Sequence, residues 1–430
     1  MYTLPYGVAA IAVLSCFSKA KNNFAGWSIK MPSIILKKCP KVYILETHRS
    51  KTPDSTLQFI QSIKELVSMI DFREASDLDR IGIPVFICHR IRPDSSRTSH
   101  TGKGVSQIQA QVSLTMESIE RYSSEFKDEY KSKLVSGSYN QLKRKFNILD
   151  PREMILSKIS DYDHDRDIHW AWGCDLARNE DILVPACAVY HPYHLDDAFL
   201  MDTHTNGIAA GNTMEEAVVH GLAELIERDA WSIARYEGNF NDALFIEDEP
   251  ANQFIISIFD KFENAEIEIV AKNITSDIGV PVIAAFSRDL VYPAMKPVDG
   301  FGAHLDPRVA MIRSLLEIVT TRALFIQKFG IEGMCEPVTA YLGEQERTDD
   351  PRFYAYNYKG LRDIEVSYGK DILQDVRTII GKLQARGLER VIAVDLTRPD
   401  TGIPTVRMIV PGLEAYCFDK MRIGARILKG

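Results

Sequence analysis

The segment GNTMEEAVVHGLAELIERDA, residues 211–230, constrains the fold more than any other stretch of the chain. It reads as a helix, and at roughly 100° per residue Glu216, Glu224 and Glu227 fall within about 80° of one another. Like charges at helical spacing repel. The opposite side gives no relief. Val219, Leu222, Leu225 and Ile226 form an apolar stripe that must itself be packed, and Ala217, Ala223 and Ala230 leave few positions for a solvated acidic face. A carboxylate buried without a partner costs several kcal/mol, so a helix covered on both sides needs cations against this stripe.

The pattern recurs in two further helical stretches. Ser113, Glu117 and Glu120 stand at i, i+4 and i+7 and are followed by Arg121; Arg313 and Glu317 stand at i, i+4. Each stretch follows glycine-bearing text read as a loop: TGKG, NGIAAGN and DGFGAH. Each also has an ordinary reading. Glu216 completes a capping box with Thr213, Arg313–Glu317 is a surface ion pair, and Glu117 and Glu120 lie on a solvated face. Together, two helices supplying several glutamates and no cysteine–histidine set suit a hard cation, Mg²⁺. Magnesium held by few carboxylates works with phosphate oxygens, whose charge Lys103, Arg121, Arg228 and Arg313 can answer. The expectation is a nucleoside-triphosphate site. No GxxxxGK[ST] occurs, which excludes P-loop chemistry.

The 430 residues exceed an ordinary single domain, so a composite of subdomains is expected. A net charge of −8 provides no basic field for nucleic acid. Seven cysteines (16, 39, 88, 174, 187, 335, 417) without a CxxC pair read as thiols in a reducing compartment, and the cytoplasm is expected. The opening MYTLPYGVAAIAVLSCFSKAK has too short an apolar run to span a bilayer, and Lys19 and Lys21 follow that run instead of preceding it. Residues 1–42 are therefore expected to form a poorly ordered extension to a catalytic domain over 43–430, with no membrane segment. Strand-like IGIPVFICHRI, DIHWAWGCDL, DILVPACAVY, AEIEIVAKNI, VPVIAAFSRD, ERVIAVDLT and TVRMIV interleave with loop-and-helix stretches over 99–126, 206–235 and 300–329 and with a helix at 370–387. Asp306 caps the third acidic helix, with Pro307 in its first turn. The fold class expected is α+β, with antiparallel sheets packed against long helices in several two-layer subdomains.

GKGVSQIQAQVSLTMESIERY, NGIAAGNTMEEAVVHGLAELIERDA and GFGAHLDPRVAMIRSLLEIVTTR resemble the three ATP-binding segments of the YcaO family. The likeness runs from about residue 43 to the C-terminus and rests on the spacings S-x-x-x-E-x-x-E-R and N-x-x-x-E-(x)7-E-x-x-E-R. It implies ATP bound through Mg²⁺, with Glu117, Glu120, Glu224 and Glu227 as metal ligands. Lys103, Ser113, Arg121, Asn212, Glu216 and Arg313 would contact nucleotide or phosphate, beside Arg228. Glu317 joins them at a position where some members carry glutamine, and Thr320 departs from EAAQSR-like text. The implied reaction phosphorylates a peptide-backbone amide oxygen, turning a poor leaving group into a good one before a nucleophile attacks. No catalytic base is assigned.

THRSKTPDSTLQFI, DLDRIGIPVF and RP are similar to a stand-alone archaeal branch associated with TfuA-type sulfur-delivery partners. That branch implies a homodimer converting a glycine amide of the methyl-coenzyme M reductase alpha subunit to thioglycine. Alternatives are an azoline- or amidine-forming member and a non-catalytic accessory protein of a methylthiotransferase. Azoline-forming members typically end in a P-x-P-x-P tail and this chain ends RIGARILKG, with no fused leader-presenting domain. HPYH (191–194) and DYDHDRDIH (161–169) read as solvated loops, not zinc sites. Cys174 and Cys187 read as core residues. His304 is left between approaching the site and a capping or packing role, and the C-terminus at Gly430 is not placed.

Overall fold

The glycine texts ahead of the acidic helices form strands, and those strands seat the helices. The computed structural model describes residues 34–92, 94–196, 198–335, 351–354 and 357–428. Its helices are α1 (Pro53–Ile60), α2 (Gln107–Ser124), α3 (Tyr139–Leu142), α4 (Met214–Glu237), α5 (Gln253–Asn264), α6 (Pro307–Cys335), α7 (Ile372–Gln384) and α8 (Ala425–Leu428). The strands before α4 are β1 (Tyr43–Ile44), β2 (His48–Arg49), β3 (Met69–Glu74), β4 (Val85–Ile91), β5 (Arg97–Lys103), β6 (Val135–Ser138), β7 (Asp167–Asp175), β8 (Glu180–Pro185) and β9 (Ile208–Ala210). After it come β10 (Asp242–Phe245), β11 (Ile267–Asn273), β12 (Val282–Asp289), β13 (Val298–Ala303), β14 (Asn357–Gly360), β15 (Ile392–Asp395) and β16 (Thr405–Ile409).

Three sheets carry the architecture, with orders β3-β4-β5, β13-β12-β11-β10-β14 and β6-β7-β15-β16-β9, the last with β8 on β7. Among the described strand pairs only β10–β14 is parallel; the others are antiparallel. The α+β expectation holds, and the β7–β8, β11–β12 and β15–β16 pairs fall where the strand-like text placed them. Helix α5 carried no expectation. No helix of the described residues is long and apolar enough to cross a membrane.

The TGKG and DGFGAH texts lie in β5 and β13, and the reason is steric. A Cβ on Gly102 of β5 would sit 2.2 Å from the Ala110 oxygen and 2.3 Å from the Leu114 nitrogen of α2. On β13, a Cβ on Gly302 would meet the Ala310 oxygen, and one on Gly300 the Ser314 oxygen, each at 2.2 Å. Only glycine lets the helix backbone lie directly on the strand. Helices α2 and α6 are thus locked to the strands that precede them.

Helix α4 is covered as its sequence demands. Its apolar residues, including Leu222 and Ile226, pack with Val406 and Met408 of β16, with Ala284 and Phe301 of the five-stranded sheet and with Val376 of α7 in one core. The Thr213 hydroxyl caps its start, accepting from the Glu216 amide at 3.2 Å, and Gly238 at φ 66° ends it. The carboxylate of Asp229, fully buried on α4, accepts from the Glu414 amide and from Arg426 at 2.9 Å, strapping the C-terminal segment back onto the helix. In α6 the Asp306 carboxylate accepts from the Arg308 amide at 3.0 Å, as expected of a cap. Gly330, at φ 68°, interrupts that helix.

Of the expected extension, residues 1–33 lie outside the described residues. Residues 34–42 are packed: Ile34 and Cys39 are buried, the Ile372 amide donates to the Cys39 carbonyl at 2.9 Å, and Lys41 pairs with Asp375 at 2.5 Å.

The seating predicts opposite signs for two glycine substitutions. Gly102→Ala is expected to lower stability by about 1–3 kcal/mol through overpacking. Gly381→Ala, inside α7 with no atom within 4 Å of the added Cβ, is expected to raise it by about 0.5–1 kcal/mol. Urea unfolding of both variants measures this.

Candidate active site

Helices α2 and α4 both lie against β9, and their acidic stripes form one charged wall. Burial pushes Glu120 up to about 8 against the pull of Arg121, with Glu224 and Glu117 adding to the rise. Glu224 is likewise raised by burial and by Glu227, against Arg228 and Arg121. Glu117 goes the other way. Burial opposes its charge, but the hydrogen bond from His100 Nδ1, 3.5 Å away, and the charges of Arg121 and Lys103 hold it below the usual range. Glu227 accepts from the Ala303 amide of β13 at 3.1 Å, which ties the wall to α6 and its strand.

Basic groups interleave with these acids. Arg121 Nη1 lies 3.0 Å from Glu120 Oε1 but has no aligned hydrogen-bond acceptor, and buried Arg228 Nε also lacks one among the described residues. Arg228 stacks over Trp231 at 5.1 Å. Burial pushes Lys103 down to about 8 despite Glu227 and Glu117. Its ammonium pairs with Glu317, and the surface ion pair weighed as the ordinary reading of Arg313 and Glu317 is not formed among the described residues. Arg313 instead donates to the Ala303 carbonyl at 3.1 Å.

A small cavity of about 20 Å³ runs along α4 beside this wall, over His220 and Ala223 and between Arg49 and Arg313. By helical angle His220 falls between Glu224 and Glu227, so the cavity and the carboxylates share one stripe. His304 belongs to its lining. Nδ1 of His304 accepts from the Asp306 amide at 2.9 Å, and its ring meets His48 edge-on at 4.6 Å. Burial holds His220 and His304 well below the usual histidine range, so both are neutral walls.

Glu117, Glu120, Glu224, Glu227, Lys103, Arg121, Arg228 and Arg313 thus come together, and Ser113 sits half-buried one turn before Glu117 on α2. Asn212 and Glu216 have a different place. The Glu216 carboxylate accepts from the Ser50 amide and hydroxyl at 2.5 and 2.6 Å, and from the Asn212 amide and side chain at 2.9 and 3.0 Å. Asn212 Oδ1 accepts from Thr56 at 2.9 Å. The capping box is half present: Thr213 caps the Glu216 amide, while the Glu216 side chain reaches Asn212 and Ser50. These two residues moor the segment carrying Arg49 to the start of α4.

The His191 ring pairs with Thr203 at 2.9 Å and His169 with Asp196 at 2.6 Å. Cys174 and Cys187 are buried in cores, as expected. Three functional candidates carried no site expectation: Arg49, His220 and Arg407. Arg407 is 3% exposed on β16, and its charge interacts with Glu224. A charged residue in the apolar run TVRMIV was the available signal.

The donor set fits a hard cation with phosphate. The wall offers carboxylate oxygens, and guanidinium N–H groups without acceptors suit phosphate oxygens. Among the described residues no three His, Cys, Asp or Glu side chains converge on one point as a ready cage. Magnesium needs only one or two carboxylates when phosphates complete its shell. The raised carboxyls carry a stability signature in metal-free protein. Glu120 binds its proton more tightly folded than unfolded. Its contribution is full below the ordinary carboxylate range and is lost as pH rises through about 8. In EDTA, the stability difference between wild type and Glu120→Gln, read by chemical denaturation, is expected to shift against the wild type between about pH 5 and about pH 8.

Residues 101–414 match the family model described as YcaO cyclodehydratase, ATP- and Mg²⁺-binding. An uncharacterized protein of Methanothermobacter thermautotrophicus is 35% identical over 396 residues, covering 87% of this chain and 97% of its own. A second relative, from Rhizobium leguminosarum bv. trifolii, is described as an uncharacterized protein in the tfuA 3' region; it is 26% identical over 78% of this chain and 81% of its own. The structure of YcaO from Methanopyrus kandleri bound with AMPPCP and Mg²⁺ is similar at TM-score 0.74 and 28% identity, covering 90% of this chain and 98% of that one. A heterocyclase in complex with substrate and cofactor shares the fold at TM-score 0.76 and 23% identity, over 89% of this chain and 54% of that one. The chain belongs to the YcaO family of ATP- and Mg²⁺-binding, amide-modifying enzymes.

Proposed function

We propose that the protein uses ATP to phosphorylate a peptide-backbone amide oxygen and then admits sulfide, leaving a thioamide. The substrate we favour is a glycine amide of the methyl-coenzyme M reductase alpha subunit. The observation that carries the ATP half is the wall of Glu117, Glu120, Glu224 and Glu227, faced by Arg121 Nη1 and Arg228 Nε, which have no aligned acceptor among the described residues. The sulfide half is supported by the similarity of THRSKTPDSTLQFI to the TfuA-associated branch and by the relative encoded beside tfuA. A TfuA-like sulfur-delivery partner, a homodimer and a cytoplasmic setting belong to the same proposal.

The four glutamates are the proposed holders of Mg²⁺, which when bound offsets the triphosphate charge. Arg121, Arg228 and Lys103 hold phosphate oxygens through N–H groups already aimed at the wall. Arg49 and Arg313, both lining the cavity, grip the nucleotide, Glu317 keeps Lys103 in place, and Ser113 stands by Glu117. Glu216 and Asn212 serve the nucleotide by holding the Arg49 segment. In the first step the amide oxygen gains a phosphoryl group, ADP leaves and the amide proton is released. In the second a C–S bond forms, the C–O bond breaks with loss of phosphate, and the S–H proton passes to the amide nitrogen.

The test incubates the purified protein with ATP, Mg²⁺, sulfide and a glycine-containing reductase peptide, with and without a TfuA partner. Mass spectrometry is expected to show replacement of oxygen by sulfur. ATP hydrolysis with no peptide modification in either case would sink the substrate assignment. Glu224→Gln is expected to lower ATP turnover by about 10²-fold or more, and unchanged turnover would remove the metal assignment. Arg49→Ala is expected to raise KM for ATP by about tenfold with a smaller effect on kcat.

A further inference from the structure

A second cavity, of about 50 Å³, lies beyond the carboxylate wall between β16, the segment before β9 and the C-terminal segment. Arg407 joins the two places. It lines this cavity and its charge interacts with that of Glu224, more weakly than the charges of Arg228 and Arg121 do, while Leu225, the next residue of α4, also lines the cavity. Arg407 makes no ion pair within 4 Å among the described residues. Its Nη1 donates to the His204 carbonyl at 2.7 Å, Nη2 approaches His204 Nδ1 at 3.3 Å, and buried Nε has no partner. Arg422, also lining the cavity, has its donors taken by the Ile155 and Met154 carbonyls at 2.8 Å and by His204 Nε2 at 3.1 Å. The acid on this lining, Glu414, is saturated by the amides of Gly424, Arg426 and Ile427.

The open groups on this cavity are the Arg407 Nε donor, the buried Asn206 Oδ1 acceptor and one of the two arginine N–H groups aimed at His204, because a neutral imidazole accepts at only one of its nitrogens. Much of the rest is apolar and rich in sulfur, with Met154, Met201, Met408 and Phe418. We propose that this cavity holds the nucleophile, and that its ligand is a small soft monoanion of the hydrosulfide type. This inference rests on the thioamide reading. A phosphate dianion carries two charges and more acceptor oxygens than the two open arginine donors can answer. A carboxylate has no proton for Asn206 and would set oxygen against oxygen. Hydrosulfide accepts from Arg407, donates its S–H to Asn206 and carries the single charge that Arg407 answers. The methionine sulfurs are polarisable neighbours, and their low-dielectric surface strengthens the Arg407 contact while stripping water from the anion.

Sodium hydrosulfide titrated anaerobically into the protein with AMPPCP and Mg²⁺, followed by calorimetry, is expected to show one saturable site. Asn206→Leu and Arg407→Met should each weaken it by about tenfold or more, with thermal unfolding confirming that the variants fold. Asn206→Leu keeps the proposal testable if Arg407→Met does not fold. No saturable binding by wild type, or binding undiminished in folded Asn206→Leu, overturns the proposal and leaves the cavity to water. The two readings fail separately. Hydrosulfide binding without thioamide formation in the peptide assay sinks the thioamide reading and keeps the anion site. Thioamide formation with KM for sulfide unchanged in Asn206→Leu removes the site and keeps the reaction.

Discussion

Burial of α4 on both sides is the constraint on which the rest of the molecule depends. With Leu222 and Ile226 in the core, Glu224 coupled to Glu120 of α2 and Glu227 bonded to the Ala303 amide of β13, the acidic stripe of the helix is covered by protein. Charge must then be answered from within. Arg121 and Arg228 come from the two acidic helices themselves, each directly after a glutamate, so the wall is partly self-neutralised before any ligand arrives. The balance is incomplete. Burial keeps Glu120 and Glu224 raised, and Arg121 Nη1 and Arg228 Nε have no aligned acceptor among the described residues, which fits the metal and anion proposed for this wall.

The strands make that wall precise. Gly102, Gly300 and Gly302 bring helix backbone onto strand backbone with no intervening side chain, so α2 and α6 cannot slide without collision. Lys103 directly follows one such seat, and Arg313 and Glu317 project from the turns that contact the other. Their meeting is a consequence of two rigid seats: Lys103 from β5 pairs with Glu317 from α6, more than two hundred residues away in sequence. Rigid elements of this kind hold charged groups in place more tightly than loops do.

Much of the site was legible from spacing alone. The i, i+4, i+7 pattern in α2 and the paired glutamates of α4 marked one face each, and helical geometry requires those residues to lie together. The α+β class followed from hairpin text between long helices. Other features were not legible. TGKG and DGFGAH read as loops because glycine in a strand looks the same in sequence as glycine in a turn, and only the helix lying on it explains its presence. Glu216 matched the acidic stripe by angle, yet its carboxylate is taken by Ser50 and Asn212, because the first turn of α4 faces the N-terminal segment instead of α2.

By itself the sequence determined that acids would share helical faces, that those helices would be packed on their other side, and that a hard cation with phosphate was the fitting answer. These are local consequences of periodicity. Tertiary structure alone decided which acids meet, that Lys103 and not Arg313 pairs with Glu317, and that Arg49, His220 and Arg407 join the site. Such pairings depend on the orientation of elements far apart along the chain. That orientation is set by backbone contact at glycine and by core packing around α4, neither of which leaves a periodic mark in the sequence.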